Sequence, residues 1–550
     1  MKKLTLLLVA LLYVVLLGLG NGNYRLFDWD EINFAESSRE MLLTGDYARV
    51  QINFQPFWEK PPLFFWIQSL CMKAFGENEW AARLPNVIFT ILSVFAAYNI
   101  GKKLHGERFG QLWALAFGGS LLPFFYGKSG IIDPVFNLFI FLSVFQLYQS
   151  SQQETEGLKR RFALYAGAIA GLAILTKGPV GLLLVMLCAA CVWIFGNQKR
   201  LFSISSMVMF TAACILVSSA WFGLEMIKNG PWFLEEFIRY QIRLLSTPDA
   251  GHGQPFYYHF LVVILACFPA AIWAFPRLFK RPTQTRHFGA WMMALFWVVM
   301  ILFSMVTTKI VHYSSMCYLP LAYFAAHQID KLFLTGRLKT WQVIWQITFM
   351  ALLGFALISI PLIDQWLKSK ADGISDSFAK AQTLAQAGWN WYDGWPGLFL
   401  IIAIPIIYIL QKNRMVWAYV LVSVFSLITT LTLLTTAVIP KVEQYTQGAY
   451  LDFLISLQGQ DVYVQTGDFK SYAQYFYFKK SGLSNLEKEH LQDKSWFLTG
   501  NIDKPVYFIY RIKNVSDIAP FQDIKKVGEK NGYAFFVRLP KTPLVRTGQE

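Results

Sequence analysis

Apolar runs of about 20 residues recur from the N-terminus to about residue 438, separated by shorter polar segments. Each run is long enough to cross a bilayer as an α-helix. We predict thirteen spans, at approximately 4–20, 80–101, 109–127, 131–149, 162–176, 179–195, 203–225, 257–275, 288–306, 312–329, 341–363, 396–411 and 415–438. The pattern therefore predicts a polytopic α-helical membrane protein.

The pattern changes after residue 438. Strand-like runs at 461–465, 505–510 and 533–539 are separated by helical or polar stretches, which is typical of a small domain with a sheet. We predict a transmembrane domain at 1–438, with long loops at 21–79 and 226–256. A separate α/β or α+β domain follows at 439–550.

Charge gives the orientation. Lys and Arg collect in alternate loops, for example Lys102, Lys103, Arg160 and Arg161, and cytoplasmic loops carry such an excess. The N-terminus is then cytoplasmic, and an odd number of spans leaves the C-terminal domain outside, in the periplasm if the membrane is a bacterial inner membrane. No small-residue cleavage site follows the first run, so we retain it as a span.

Composition agrees with this interpretation. Charged residues make up 15% of the chain and apolar residues 55%, whereas soluble domains carry roughly 25% charged residues. The net charge of +15 is explained by the loop cations. We therefore expect membrane lipids, and no nucleic acid, as partners.

The first outer loop begins with a cluster of acids and ends beside an aromatic segment. Asp30 and Glu31 follow the first span, and Glu59 and Lys60 precede the apolar run at 61–66. Charges beside hydrocarbon are costly unless they are paired or used. The alternative to a functional role for residues 30–42 is an amphipathic helix at the membrane interface, with Phe34, Ala35, Met41 and Leu42 toward lipid. The alternative for Lys60 is that its ammonium snorkels to the interface.

Single charges lie at other predicted outer boundaries. Asp133 begins the fourth span, Lys177 ends the fifth and Lys309 precedes the tenth. Any of them could be an interfacial anchor, and Asp133 beside Pro134 could be a helix N-cap. Gathered at one depth, they would form an anion-binding, acid/base pocket.

The loop 226–256 adds Glu235, Arg239, Tyr240 and Arg243. Steps of four residues place Glu235, Arg239 and Arg243 on one helical face, so a surface ion-pair ladder is the alternative to phosphate binding. Arg243 is the stronger phosphate candidate, because a guanidinium matches the fork of phosphate oxygens.

These motifs carry a family resemblance. They are Asp30-Glu31, Ala35-Glu36, Arg39-Glu40-Met41, Glu59-Lys60-Pro61, Ile132-Asp133-Pro134, Thr176-Lys177-Gly178, Thr308-Lys309, His312-Tyr313 and Leu319-Pro320. In this order they resemble the lipid A aminoarabinose transferases and the protein O-mannosyltransferase-like glycosyltransferases of the GT-C fold. The likeness covers roughly the first 330 residues.

The resemblance implies a membrane enzyme that moves a sugar, with inversion, from a polyprenyl (undecaprenyl) phosphate carrier to an acceptor on the outer face. The acceptor would be lipid A, another envelope glycan or a protein. No phosphate-cradling glycine loop is present, and a site outside the cytoplasm has no nucleotide-sugar pool, so a lipid-linked donor is consistent with the sequence.

The resemblance also implies residue roles. Asp30 would activate or orient the acceptor, with Glu59 and Asp133 as supporting acids or metal ligands; a divalent cation, held by Glu59, is left open as a cofactor. Lys60, Arg243 and Lys309 would bind the donor phosphate. Further substrate-contacting candidates are Glu31, Lys177, Arg239, Tyr240, His312 and Tyr313.

Two departures bear on the substrate. The chain has Asn33 where aminoarabinose transferases usually carry Arg, and Tyr240 where we align their His. The alternatives to an enzyme are a multi-span transporter or flippase and a scaffold with an outer sensor domain. Transporters usually show internal repeats and broken helices at mid-membrane, and no repeat is evident here.

Overall fold

The computed structural model describes residues 1, 3–28, 30–195, 202–246, 253–280, 287–491, 493 and 495–541, without the side chains of 241 and 244–246. Helices dominate up to residue 456. They are α1 Lys3–Gly18, α2 Asp30–Thr44, α3 Leu63–Phe75, α4 Glu79–His105, α5 Glu107–Gly118, α6 Leu121–Gly127, α7 Asp133–Ser151, α8 Glu156–Lys177, α9 Val180–Phe195, α10 Ile204–Asn229, α11 Trp232–Ser246, α12 Tyr258–Ala266, α13 Ala270–Leu278, α14 Phe288–Met305, α15 Tyr318–Thr335, α16 Thr340–Ile358, α17 Ile360–Ser369, α18 Ser377–Thr383, α19 Trp395–Lys412, α20 Val416–Leu433, α21 Ile439–Val442 and α22 Gly448–Ser456.

Six helices in the described part of the chain are long and apolar enough to cross a membrane. They are Glu79–His105, Ile204–Asn229, Phe288–Met305, Thr340–Ile358, Trp391–Lys412 and Val416–Tyr445. Shorter apolar helices include Lys3–Gly18 and Val180–Phe195. Together they enclose a large apolar core, so the prediction of a polytopic helical membrane protein is confirmed.

All thirteen predicted spans fall on helical segments, but several are interrupted. The predicted span 109–127 is divided between α5 and α6 at Gly119, and 257–275 is divided between α12 and α13 at Pro269. Pro269 cannot donate a backbone hydrogen bond to the preceding turn. The predicted span 312–329 begins as a 3-10 helix, Val311–Cys317, before α15.

The first outer loop is packed into the protein. Phe34, Ala35 and Met41 of α2 are at most 2% exposed, and Phe34 packs edge-on against Phe64 and Phe65 of α3. The alternative of an interfacial helix with these residues toward lipid is therefore wrong. A single sequence pattern cannot distinguish a lipid-facing apolar stripe from one that the rest of the chain covers.

The tail forms a four-stranded mixed sheet, in addition to two short strands of the first outer loop, β1 Gln51–Ile52 and β2 Gln55–Pro56, that pair with each other. The strands of the tail sheet are β3 Tyr463–Thr466, β4 Val506–Arg511, β5 Ile524–Lys530 and β6 Tyr533–Arg538, in the order β3-β4-β6-β5. β3 and β4 are parallel, and the other pairs are antiparallel. Short helices α23 Ala473–Phe476, α24 Asn485–Glu489 and α25 Trp496–Thr499 lie between β3 and β4, as a parallel connection requires. The fold class predicted for the tail is confirmed.

Three of the four strands were predicted, and β5 was missed. Its sequence, Ile524–Lys530, carries three lysines and a glutamate, and most of its side chains are exposed. Among the described strands it pairs with β6 alone and so lies at the edge of the sheet, where lysines discourage pairing with other chains. An edge strand of this kind lacks the apolar alternation that makes strands visible in a sequence.

The tail contacts the segment that leads into α2. The Leu26 amide donates to the Tyr477 hydroxyl (2.7 Å), the Arg25 guanidinium to Asp452 (2.7 Å) and the Arg25 amide to Glu443 (2.6 Å). Further along, the Arg39 guanidinium donates to the Lys480 carbonyl (2.6 Å). Residues that lie more than 400 positions later in the chain thus hold the start of the first outer loop in place.

Candidate active site

Four predicted residues meet where α2, α7, α8 and the 3-10 helix Val311–Cys317 converge. His312 Nε2 lies 3.7 Å from Asp30 Oδ2 and 3.9 Å from Asp133 Oδ2. The Lys177 ammonium donates to Asp133 Oδ1 at 2.7 Å. Asp30 is 35% exposed, whereas the Asp133 side chain is 4% exposed. The most accessible acid of the cluster is therefore Asp30.

Local structure explains why Asp133 and Lys177 pair. Asp133 is the first residue of α7, and Lys177 is the last residue of α8, which is where a cation is favoured by the helix dipole. Gly178 ends α8 at φ +97°, and a Cβ there would lie 2.3 Å from the Phe237 ring. The N-cap alternative for Asp133 is wrong, because Ile132 occupies that position and no side chain caps the helix.

Aromatic rings enclose Lys177. Its ammonium lies 5.7 Å from the centre of the Phe136 ring and 5.5 Å from that of Tyr313, within the range of cation–π attraction. Tyr313 also packs edge-on against His312 at 5.3 Å. The predicted candidates His312, Tyr313 and Lys177 thus form one wall of the cluster.

Glu31, predicted as a substrate-contacting residue, is instead an internal ion-pair partner. Its side chain is 2% exposed and accepts two hydrogen bonds from Arg83, at 3.1 and 2.9 Å. Arg83 is completely buried and also donates to the carbonyls of Asn21, Tyr24 and Arg25. Glu31 accepts from the Gly130 amide as well. The pair therefore joins the segment before Asp30 to the segment before Asp133.

One feature of the sequence points to Arg83. This residue lies inside the predicted span 80–101, and an arginine at membrane depth is normally paired or functional. Nothing in the sequence identifies its partner, because Glu31 lies 52 positions away.

A second group of predicted residues assembles around Tyr240. The Lys60 ammonium lies 5.3 Å from the centre of the Tyr240 ring, and the Arg243 guanidinium lies 5.2 Å from it. Trp58 packs edge-on against the same ring at 5.9 Å. Glu59 Oε2 is 4.0 Å from Lys60 Nζ. Lys60 lies near enough to the first group for its charge to act on His312.

Arg239 does not join them. Its side chain is 75% exposed and pairs with Glu236 at 3.0 Å. This is the surface ion-pair alternative, with Glu236 in place of Glu235 as the partner, so Arg239 is withdrawn as a substrate-contacting candidate.

The remaining predicted cation, Lys309, is 6% exposed, and its ammonium donates to the Val306 carbonyl at 2.6 Å. Asn33, the first departure from the aminoarabinose pattern, is 2% exposed within α2, so its amide does not reach an open surface.

The acid groups that the structure describes are not arranged to hold a divalent cation. In the described ranges, no group of three or more His, Cys, Asp and Glu side chains is arranged to hold a metal. Asp133 is already neutralised by Lys177, and Glu59 stands beside Lys60. Cations near the acids favour an anionic ligand over a metal ion.

Comparison with known proteins finds similarity to proteins described as transferases of lipid-linked sugars. The family described as dolichyl-phosphate-mannose-protein mannosyltransferase matches residues 59–222. The undecaprenyl phosphate-alpha-4-amino-4-deoxy-L-arabinose arabinosyl transferase of Enterobacter sp. (strain 638) is 28% identical over 347 residues, covering 61% of this chain and 62% of that protein. Its counterpart in Pseudomonas aeruginosa (strain UCBPP-PA14) is 27% identical over 334 residues, covering 59% of each. The chain thus spans less than two thirds of the length of these curated relatives.

The fold is shared with a solved protein. ArnT from Cupriavidus metallidurans, in a crystal structure with undecaprenyl phosphate bound, matches with a TM-score of 0.77 at 17% identity and covers 100% of both chains. The apo state of the same protein matches with a TM-score of 0.76. The GT-C architecture expected from the sequence is confirmed.

Proposed function

We propose that this chain is a membrane glycosyltransferase that transfers a sugar, with inversion, from a polyprenyl phosphate carrier to an acceptor on the outer face of a bacterial inner membrane. The proposal combines the geometry of the site with the likeness to the arabinosyl transferases. Neither the family match nor these relatives support the transporter alternative. The C-terminal domain, 439–550, would lie in the periplasm beside the acceptor.

The observation that carries the proposal is the position of Asp30. It is a partly exposed carboxylate, 3.7 Å from His312 and next to a buried Asp133–Lys177 pair. Lys60 and Arg243 meet nearby at Tyr240. An acid next to several cations suits a reaction in which an acceptor is activated and a phosphate departs.

In the proposed reaction the acceptor oxygen attacks the anomeric carbon, and the bond from that carbon to the carrier phosphate breaks. For a hydroxyl acceptor, Asp30 takes the proton. For an acceptor phosphate, already ionised, Asp30 would position it and stabilise the oxocarbenium-like sugar. Lys60 and Arg243 would stabilise the charge that develops on the departing polyprenyl phosphate.

Lys177 and His312 would act indirectly, by positioning the carboxylates of Asp30 and Asp133. The Lys177 ammonium holds Asp133 in place, and His312 sits between both carboxylates. Glu59 would orient Lys60. No step requires a metal ion.

The test is Asp30→Asn in cells that express the full chain. We expect the variant to accumulate and unfold like the wild type, while mass spectrometry of envelope lipids and glycoproteins loses the sugar that the wild type adds. Asp330→Asn is the control, because Asp330 pairs with Arg108 at 2.6 Å outside the site. Full transfer by Asp30→Asn would remove Asp30 from the reaction.

A further inference from the structure

The two faces of the tail sheet have different surroundings. One face, with Ile509 and Phe535, belongs to a core that also includes Leu26 and Ile32 of the first outer loop. The core on the other face, with Phe508, is formed by described residues of the tail alone. This second face is therefore turned away from the helical domain and is not required for holding the two domains together.

A cavity of about 340 Å³ opens on this second face. Its volume lies within the range of about 300–1,000 Å³ that is usual for small-molecule sites. The described residues that line it are Leu486, His490, Trp496, Asn501, Ile502 and Asp503. By contrast, two cavities in the helical domain have volumes of about 20 and 10 Å³, which is room for about one water molecule each.

Part of the lining is flat and apolar. The rings of His490 and Trp496 stack with their centres 4.8 Å apart and an angle of 11° between their planes. Trp496 is 5% exposed, whereas His490 is half-buried, so the imidazole covers the indole and faces solvent. Leu486 and Ile502 add aliphatic surface. A flat ring surface of this kind packs well against another flat apolar face, and the C–H face of a sugar ring is such a face.

The other lining groups are polar and suited to hydroxyls. Asp503 Oδ1 accepts the Tyr463 hydroxyl at 2.9 Å, and the same hydroxyl lies 2.5 Å from Ser484 Oγ. Among the described residues, no partner binds the second oxygen of Asp503 or the carboxamide of Asn501. A carboxylate accepts hydrogen bonds, and a carboxamide both donates and accepts them. Together they match the hydroxyl groups at the edge of a sugar ring.

The loop that carries these two polar groups is fixed in position. A Cβ at Gly500 would lie 2.1 Å from the Trp496 ring, so glycine allows the chain to pass this close to the indole. Arg538, which is 1% exposed, donates to the Gly500 carbonyl at 2.8 Å. Asn501 and Asp503 are therefore in place before a ligand arrives, which reduces the entropic cost of binding.

We propose that this cavity is a binding site for a neutral saccharide of the cell envelope. The apolar face of a sugar ring lies against His490 and Trp496, and its hydroxyls bond to Asp503 and Asn501. The carboxylate of Asp503 repels an anionic ligand. The inference goes beyond the proposed function and requires from it only that the tail lies outside the membrane, where it would keep an envelope glycan beside the enzyme.

The test is a saturation-transfer NMR titration of the purified full chain in nanodiscs. The neutral probes are glucose, galactose, N-acetylglucosamine and their β-1,4-linked disaccharides, and glucuronic acid is the charged comparison. We expect at least one neutral probe to bind, and glucuronic acid to bind more weakly than glucose because Asp503 repels its carboxylate.

Two variants assign the binding to the cavity. Asp503→Asn should raise the Kd of the bound neutral probe roughly tenfold, as expected for the loss of a hydrogen bond to a charged group, and should reduce the discrimination against glucuronic acid. Asn501→Ala should raise the same Kd roughly threefold or more. Asp517→Asn, which changes an exposed carboxylate outside the described lining, is the control.

The outcomes are decisive in both directions. A wild-type protein that binds none of the neutral probes would overturn the saccharide site. Binding that Asp503→Asn and Asn501→Ala both leave unchanged would place the sugar elsewhere, for example beside Asp30, and would overturn it too. If Asp503→Asn fails to fold, Asn501→Ala decides alone, because the Asn501 side chain is exposed. Sugar transfer is tested separately through Asp30→Asn, so failure of one proposal is distinguishable from failure of the other.

Discussion

Asp30 and Glu31 are neighbours in the sequence, yet their carboxylates have different surroundings. Asp30 is partly exposed and faces His312, whereas Glu31 is buried in a two-bond pair with Arg83. The first position is therefore available for chemistry, and the second is committed to the structure. The two roles can be separated by single substitutions.

Glu31→Gln should destabilise the protein. Breaking a buried ion pair by removing one charge typically costs about 3–5 kcal/mol, because the other charge stays buried. We expect a lower unfolding temperature in detergent for Glu31→Gln and an unchanged one for Asp30→Asn. Equal unfolding temperatures for Glu31→Gln and the wild type would show that the pair contributes little.

At the scale of one element, α11 presents two arginines four residues apart. Arg243 lies over the Tyr240 ring that also contacts Lys60, whereas Arg239 pairs with Glu236 at the surface. The same helix therefore contains a site residue, Arg243, and a surface residue, Arg239, that can serve as its control in mutagenesis.

Arg243→Ala should weaken use of the donor, and Arg239→Ala should not. Loss of a hydrogen bond to a charged group is worth about 1.5–3 kcal/mol, so we expect the KM for the lipid-linked sugar to rise roughly tenfold or more. Steady-state kinetics on both variants measures this. A similar KM for the two variants would place the phosphate elsewhere.

The helix α2 also contains an acid, Glu40, whose protonation should make the stability of the fold depend on pH. Burial and the nearby carboxylate of Glu36 raise the pKa of Glu40 well above its ordinary value of 4.5. The carboxyl group of Glu40 accepts the amides of Asn53 and Phe54, at 2.6 and 2.7 Å. A carboxyl that binds its proton more tightly in the folded chain stabilises the fold at low pH, and this contribution is lost as the pH rises.

Glu40→Gln should therefore gain stability relative to the wild type as the pH rises. Thermal unfolding between pH 5 and pH 9 would show a smaller alkaline decline for the variant, with exposed Glu489→Gln as the control. A parallel decline in all three proteins would mean that Glu40 does not hold a proton in the folded state.

Much at the element scale was predictable. The spans followed from apolar run length, and β4 and β6 from their strand-forming residues, because both patterns are local. The breaks at Gly119 and Pro269 depend on the neighbouring helices, and β5 is hidden by its lysines. The burial of α2 depends on its contacts with α3 and with the tail, which the local pattern of α2 cannot contain.

At the scale of the whole molecule, the tail supports the segment that carries Asp30. The Tyr477 hydroxyl accepts the Leu26 amide in a buried contact. That contact joins residues that are 451 positions apart, a separation that no local sequence pattern can reveal. For the same reason, Asp30, Asp133 and Lys177 could be predicted as separate residues, whereas the pairing of Glu31 with Arg83, 52 positions away, could not.

Tyr477→Phe should lower both stability and turnover. It leaves a buried amide without an acceptor, at a cost of about 1–3 kcal/mol, and loosens the approach to Asp30. We expect a lower kcat with little change in the KM for the donor. Tyr507→Phe, on the partly exposed face of β4, is the control, and a KM effect without a kcat effect would contradict the positioning role.

The contacts of Arg25 and Leu26 also impose an order on biosynthesis. Their partners, Asp452 and Tyr477, are translated more than 400 residues later. The first outer loop leaves the insertion machinery early, but its final hydrogen bonds cannot form until the ribosome has passed residue 477. A nascent chain released before that point would lack the restraints beside its own reactive carboxylate.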